Sequence, residues 1–148
     1  MKNLFKVAIC PLLLAWLLLT PSFAKNPAEL SFEGLYSSWG VLGLEMSEQV
    51  LKNKGKEVKI IGFMAPPLKA DAKFFVLTQY PMALCPFCSS DADWPPDIIV
   101  VFLKKRQSFV QFNAPIEVTG TLEIGSQTDP ETGFVSLMRI VDAKFKKK

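Results

Sequence analysis

The sequence predicts a mainly β protein: a small, five-stranded, partly open barrel of the OB type with an N-terminal helical segment. Three observations carry that prediction. Five strand-like runs follow one another from Lys56 onward, separated by turn-forming residues. Glycines stand inside two of them, Gly62 and Gly120, at places where a small barrel needs its strands to bend or coil sharply. Residues 26–53, in contrast, carry apolar residues at helix-like spacing. A sandwich of similar strands is the main competitor, and five strands are few for one.

In chain order, residues 1–24 stand apart from the domain. Lys2 and Lys6 precede an apolar run from Val7 to Leu19, and Ser22-Phe23-Ala24 closes it with small residues. These are the three regions of a secretory signal peptide, so the protein is expected to be periplasmic or secreted. Cys10 lies inside the run, with Pro11-Leu12-Leu13-Leu14 still to come, whereas a lipid-attachment cysteine would end it. Without the leader 124 of the 148 residues remain, and the basic count falls from 17 to 15 with the loss of Lys2 and Lys6, against 14 acidic residues. The mature chain is therefore close to neutral, and the formal charge of +3 belongs mostly to the leader. The mean hydropathy of +0.23 is inflated in the same way. After Ala24 nothing approaches the ~20 consecutive apolar residues of a spanning helix.

Residues 25–55 read as helical or irregular. Pro27 and Ser31 offer helix starts; Leu30, Leu35, Trp39 and Leu42 are apolar at spacings of three to five; Gly40 and Gly43 interrupt. Ser47 is an N-cap for a turn carrying Val50 and Leu51, stopped by Asn53-Lys54-Gly55. This segment is expected to cover one end of the barrel, which occupies residues 56–145. Its strands are Val58–Met64, bounded by Gly55 and Pro66-Pro67; Phe74–Gln79; Ile98–Leu103, continuously apolar as for a strand buried on both faces; Ile116–Ile124; and Phe134–Val141. Ile116, Val118, Gly120, Leu122 and Ile124 alternate with polar residues, which assigns them one face. Asp129-Pro130-Glu131-Thr132-Gly133 has turn chemistry, so the last two strands form a long hairpin, and those acids are turn residues. The tail Lys144–Lys148 reads as a solvated end, with weak attraction to anionic lipid headgroups as the alternative.

Composition excludes several functions. With no histidine, a Ser-His-Asp triad, a Cys-His nucleophile pair, a His-bearing zinc site and CxxCH haem attachment are all ruled out. Near-neutral charge argues against a dedicated nucleic-acid binder. The remaining chemistry lies between the second and third strands, in Tyr80–Asp97. That stretch is longer than ordinary connections, which makes it a candidate functional loop. It holds Cys85 and Cys88, a CxxC pair, with Met82, Asp91 and Asp93 nearby.

Three chemistries fit. In thiol–disulfide exchange a helix N-terminus would depress one thiol's pKa; here Pro95-Pro96 stops any helix within two turns, and the two aspartates push the other way. In metal binding the two thiolates would be joined by Asp91 and Asp93, or by a second chain in a dimer, for zinc, or by Met82 or Met64 for copper(I). In the third, the cysteines form a short-range disulfide that stiffens the loop, as an oxidising compartment favours. Trp94-Pro95-Pro96 reads either as an aromatic platform for a partner or as a plug over the barrel mouth.

Three pieces in order carry a family resemblance: Gly62-Phe63-Met64-Ala65-Pro66; Cys85 followed by Trp94-Pro95-Pro96-Asp97-Ile98-Ile99-Val100; and Pro115-Ile116-Glu117-Val118-Thr119-Gly120-Thr121-Leu122. Over roughly Lys56–Ala143 the chain resembles a family of small exported bacterial proteins known only as a domain of unknown function. The resemblance implies a periplasmic or lipid-anchored β-barrel domain, beside components of ABC-type transport systems, and no established reaction. In the commoner pattern a histidine follows close after the cysteine. Here Cys88 stands near that place, so any metal held by this loop meets sulfur and is a softer ion. The sequence thus leads to a non-enzymatic accessory or binding protein, metal-handling or associated with an envelope transport system. A thiol–disulfide protein and a plain interaction module remain the alternatives.

Overall fold

The computed structural model of the chain describes residues 26–40, 43–66, 73–83 and 94–148. Among them it contains β1 (Ala28–Leu30), β2 (Tyr36–Gly40), β3 (Gly43–Met46), α1 (Glu48–Asn53), β4 (Glu57–Met64), β5 (Phe74–Thr78), β6 (Ile98–Leu103), β7 (Pro115–Thr128) and β8 (Val135–Lys147). The protein is mainly β, and each of the five expected strands has its counterpart in β4 to β8.

Alternation builds the sheet. In β4 the side chains of Val58, Ile60 and Met64 are buried, and in β7 those of Ile116, Val118 and Leu122. The two strands pair antiparallel from Glu57↔Thr121 to Phe63↔Pro115, so these buried sets share one face. Within that face a glycine stands opposite a branched residue twice, Gly62 against Ile116 and Gly120 against Val58. β5 and β6 are apolar without alternation, and β5 is buried along its whole length. Hydrogen-bonded neighbours run β1-β4-β5-β6-β8-β7, and the additional β4–β7 pairing returns the order to β4. The β6–β8 pair is parallel; the connection through β7 supplies the long crossover that such a pair requires.

At Gly120 three strands meet closely. A Cβ placed there would lie 2.6 Å from Ile140 Cγ2 and 2.7 Å from the Val141 carbonyl oxygen, so only glycine fits. Opposite it the β7–β8 register shifts between Thr119 and Thr121, and Asp142 takes a φ of 50°. This is a β-bulge, with an aspartate tolerating the left-handed region. The extra residue changes which side chains face inward. Before it the buried apolar residues are Met138 and Ile140; after it they are Ala143 and, partly, Phe145.

The structure departs from the sequence reading at both ends. Among its described residues the N-terminal segment is α-helical in α1 alone, where Ser47 Oγ accepts from the Val50 amide as an N-cap. Residues 36–40 and 43–46 form an antiparallel hairpin, with Trp39↔Leu44 and Gly40↔Gly43 paired. Gly43 takes a φ of 98°, so the glycines that look like interruptions of a helix belong to a reversal of the chain. Leu30 and Leu35, whose spacing suggests a helical face, are both buried, from a strand and from the end of a 3-10 turn at Phe32–Gly34. The lysine-rich tail is a strand: Lys144 pairs with Thr119, Lys146 with Glu117 and Lys147 with Ile116. Only its lysine side chains are solvated, while Phe145 packs edge-on against Phe75 at 5.7 Å between ring centroids.

Replacing Gly120 by alanine should lower the stability of the fold by about 1–3 kcal/mol through overpacking. Gly40→Ala, with nothing within 4 Å of the new Cβ, is the matched control and should leave the urea midpoint nearly unchanged.

Candidate functional site

The connection between β5 and β6 is built on a closed base. Thr78 and Ile98, the last residue of β5 and the first of β6, are paired in register. Beyond them the Gln79 amide donates to the Asp97 carbonyl at 3.0 Å, so the intervening chain leaves and returns at one point. Thr78 is buried, and its hydroxyl lies 2.7 Å from the Tyr80 carbonyl and 3.2 Å from that of Phe63. Its single proton serves the shorter contact and fixes the first turn of the outgoing limb.

The returning limb is tied to the N-terminal hairpin. Trp94 is only 8% exposed, and its indole Nε1 donates to Tyr36 Oη at 2.9 Å. Burial pushes the Tyr36 phenol above its ordinary value of 10.0, and the Trp94 hydrogen bond opposes that shift. A second tie runs from Gln79 Nε2 to Glu33 at 2.6 Å. Beside this base lies an open groove of about 520 Å³, bordered by Glu29, Glu33, Gln49, Phe63 and Gln79. Sequence reasoning points to neither Tyr36 nor this groove. Tyr36 and Trp94 are 58 residues apart, and no local pattern links them.

Of the residues singled out in the sequence, Met82 lies on the outgoing limb, half-buried, and Trp94, Pro95 and Pro96 lie on the returning one. The indole is enclosed and hydrogen-bonded, a position that favours the plug over an exposed platform, while the two prolines are half-buried. Cys85, Cys88, Asp91 and Asp93, like residues 1–24 with Cys10, lie outside the described residues. Among the described residues no group of three or more cysteine, aspartate or glutamate side chains is placed to hold a metal. Nor is any described helix long and apolar enough to cross a membrane.

No family model and no curated protein matches the chain. Among solved structures it is similar to the crystal structure of a DUF3299 family protein from Pseudomonas aeruginosa PAO1, with a TM-score of 0.56 and 15% identity. The match covers 84% of this chain and 97% of that one. At this identity the likeness is one of fold. That neighbour carries the label of a domain of unknown function.

Tyr36→Phe should leave the enclosed Trp94 N–H without a partner and cost about 1–3 kcal/mol, read from urea denaturation. It should also change the alkaline limb. A phenol whose pKa is raised by folding stabilises the fold below its unfolded value and ceases to do so as pH rises through the folded one. The loss of stability of the native protein above pH 10.0 should therefore be shallower in the variant.

Proposed function

We propose that this chain is an exported, non-enzymatic binding protein of OB type, related to the DUF3299 proteins, whose site is the Cys85-Cys88 loop. The observation that carries the reading is the clamped base of that loop. A long connection rising from one in-register strand pair, and pinned by Trp94 on its return, gives the loop's chemistry a fixed point of attachment, as binding loops on rigid sheets have.

Several features support the finer parts. The pairing order β4-β5-β6-β8-β7-β4, with β6–β8 parallel, is that of a five-stranded ring, which agrees with an OB-type barrel. The departure is the β6–β7 connection, Lys104–Ala114, which contains no helix. The leader-like residues 1–24 support export. For the loop's cargo we favour a soft metal ion. Two thiolates with the Met82 thioether suit copper(I), and two thiolates with Asp91 and Asp93 suit zinc. Handing such an ion to, or receiving it from, an envelope transport system is the role that follows. The mainly antiparallel strands around the loop speak against thioredoxin-like exchange, which uses a βαβ setting.

The test is native and denaturing mass spectrometry of protein isolated without chelator, with thiols trapped at lysis. One ion per chain, lost in both Cys85→Ser and Cys88→Ser, is expected. A metal-free mass lower by two protons would replace metal handling with a structural disulfide.

A further inference from the structure

The connection from β6 to β7 runs beside the C-terminal half of β8 and is fastened to it along its length. The Lys104 amide donates to the Ala143 carbonyl at 2.9 Å. Gln107 then uses its side-chain amide as a strand partner: Nε2 donates to the Phe145 carbonyl, and Oε1 accepts from the Phe145 amide, both at 3.1 Å. At the far end the Lys148 amide donates to the Pro115 carbonyl at 3.0 Å. Val110, half-buried, packs against the core. The two segments thus form one surface.

The composition of that surface is unlike the rest of the chain. Residues 104–114 and 143–148 hold Lys104, Lys105, Arg106, Lys144, Lys146, Lys147 and Lys148 and no acid; the rest of the chain has the other 10 of the 17 basic residues against all 14 acidic ones. All seven cations are exposed. Glu117, on the adjoining β7, engages Lys146 at 3.0 Å and Lys148 at 3.3 Å, and Asp142 is the bulge residue. Lys104, Lys105, Lys144 and Lys147 complete the positive field. Within it two phenylalanines face solvent, Phe109 at 38% and Phe112 at 41% exposure.

We infer that this surface docks onto an anionic lipid bilayer, with the phenylalanine rings at the acyl boundary and the lysines at the depth of the headgroup phosphates. Apolar rings without a polar handle gain by leaving water there, and cations ringed around them are attracted by the negative surface. Each cation near such a surface strengthens binding by about fivefold at moderate salt. The field falls off within a Debye length, so the contact is salt-sensitive. This inference is independent of the cysteine loop and of whether that loop holds a metal.

Co-sedimentation with phosphatidylcholine vesicles, with and without a one-third share of phosphatidylglycerol, tests it. The readout is the ratio of anionic to neutral binding, compared between the native chain and its variants so that any contribution of Lys2 and Lys6 is common to both. The ratio should be well above one and should fall by about tenfold or more in Lys104→Glu/Lys105→Glu. It should fall similarly in Lys144→Glu/Lys147→Glu, which leaves Gln107 undisturbed. Phe109→Ser/Phe112→Ser should weaken binding to the anionic vesicles at an unchanged melting temperature. A wild-type ratio near one, or a ratio indifferent to both charge reversals, overturns the inference. So does binding of a single-stranded oligonucleotide, abolished by the same variants, by a protein that ignores the vesicles.

Discussion

At Gly120 the backbone of β7 is held from both sides, by Val58 of β4 across one edge and by the bulged stretch of β8 across the other. No side chain can be accommodated: Ile140 Cγ2 and the Val141 carbonyl already occupy the space a Cβ would take. The rest of the sheet follows from this close approach. Because β7 is the strand shared by β4 and β8, the close approach here lies where the pairing order returns to β4. Because the bulge at Asp142 inserts one residue, Phe145 turns inward against Phe75 and Lys144, Lys146 and Lys148 turn outward. Without that extra residue the even-numbered positions would continue inward after Ile140 and bring lysines with them.

The same bulge separates the part of the fold that is readable in the sequence from the part that is not. β4, β6 and the first half of β7 are legible because strict alternation, or a short continuous apolar run between turn residues, is what a buried strand requires. β8 is legible only as far as Val141, the point where its parity changes. Past Asp142 the inward residues are the odd-numbered Ala143 and Phe145, the pattern looks broken, and a paired strand reads as a loose lysine tail. The N-terminal hairpin is hidden for a related reason. Leu30, Leu35 and Trp39 have helix-like spacing, and two glycines interrupt a helix as readily as they reverse a strand. Ser47, whose role depends only on its immediate neighbours, is recognisable as a cap from the sequence alone.

The candidate site shows a sharper division between local and distant information. The length of the β5–β6 connection and its cysteine pair are visible in one dimension. The clamp beneath them is not, since it depends on Tyr36, Glu33 and Phe63 arriving from elsewhere in the chain. This also gives the N-terminal segment a purpose beyond covering the sheet. Through Tyr36 and Glu33 it holds both limbs of the loop base, and through Gln49 and Glu29 it holds α1 to β1. A change in that segment would be felt at the loop without touching either cysteine.

Near-neutral net charge conceals how unevenly the charges lie along the strands. β6 begins at Ile98, on the base of the cysteine loop, and ends at Leu103, one residue before Lys104 and the basic, aromatic surface. Its six residues span about 20 Å at the usual rise of a strand. The loop base and Lys104 therefore lie at opposite ends of one strand, and β5, from Phe74 beside the exposed Lys73 to Thr78, runs between the same two ends. The docking proposed above, where it uses Lys104 and Lys105, meets the end of β6 away from the loop base. The tail of β8 turns back toward the loop base instead: Lys147 pairs with Ile116, and the neighbouring Pro115 pairs with Phe63, which in turn pairs with Thr78, so the sheet's closure and not the length of one strand sets how far the lysines lie from the cysteine loop.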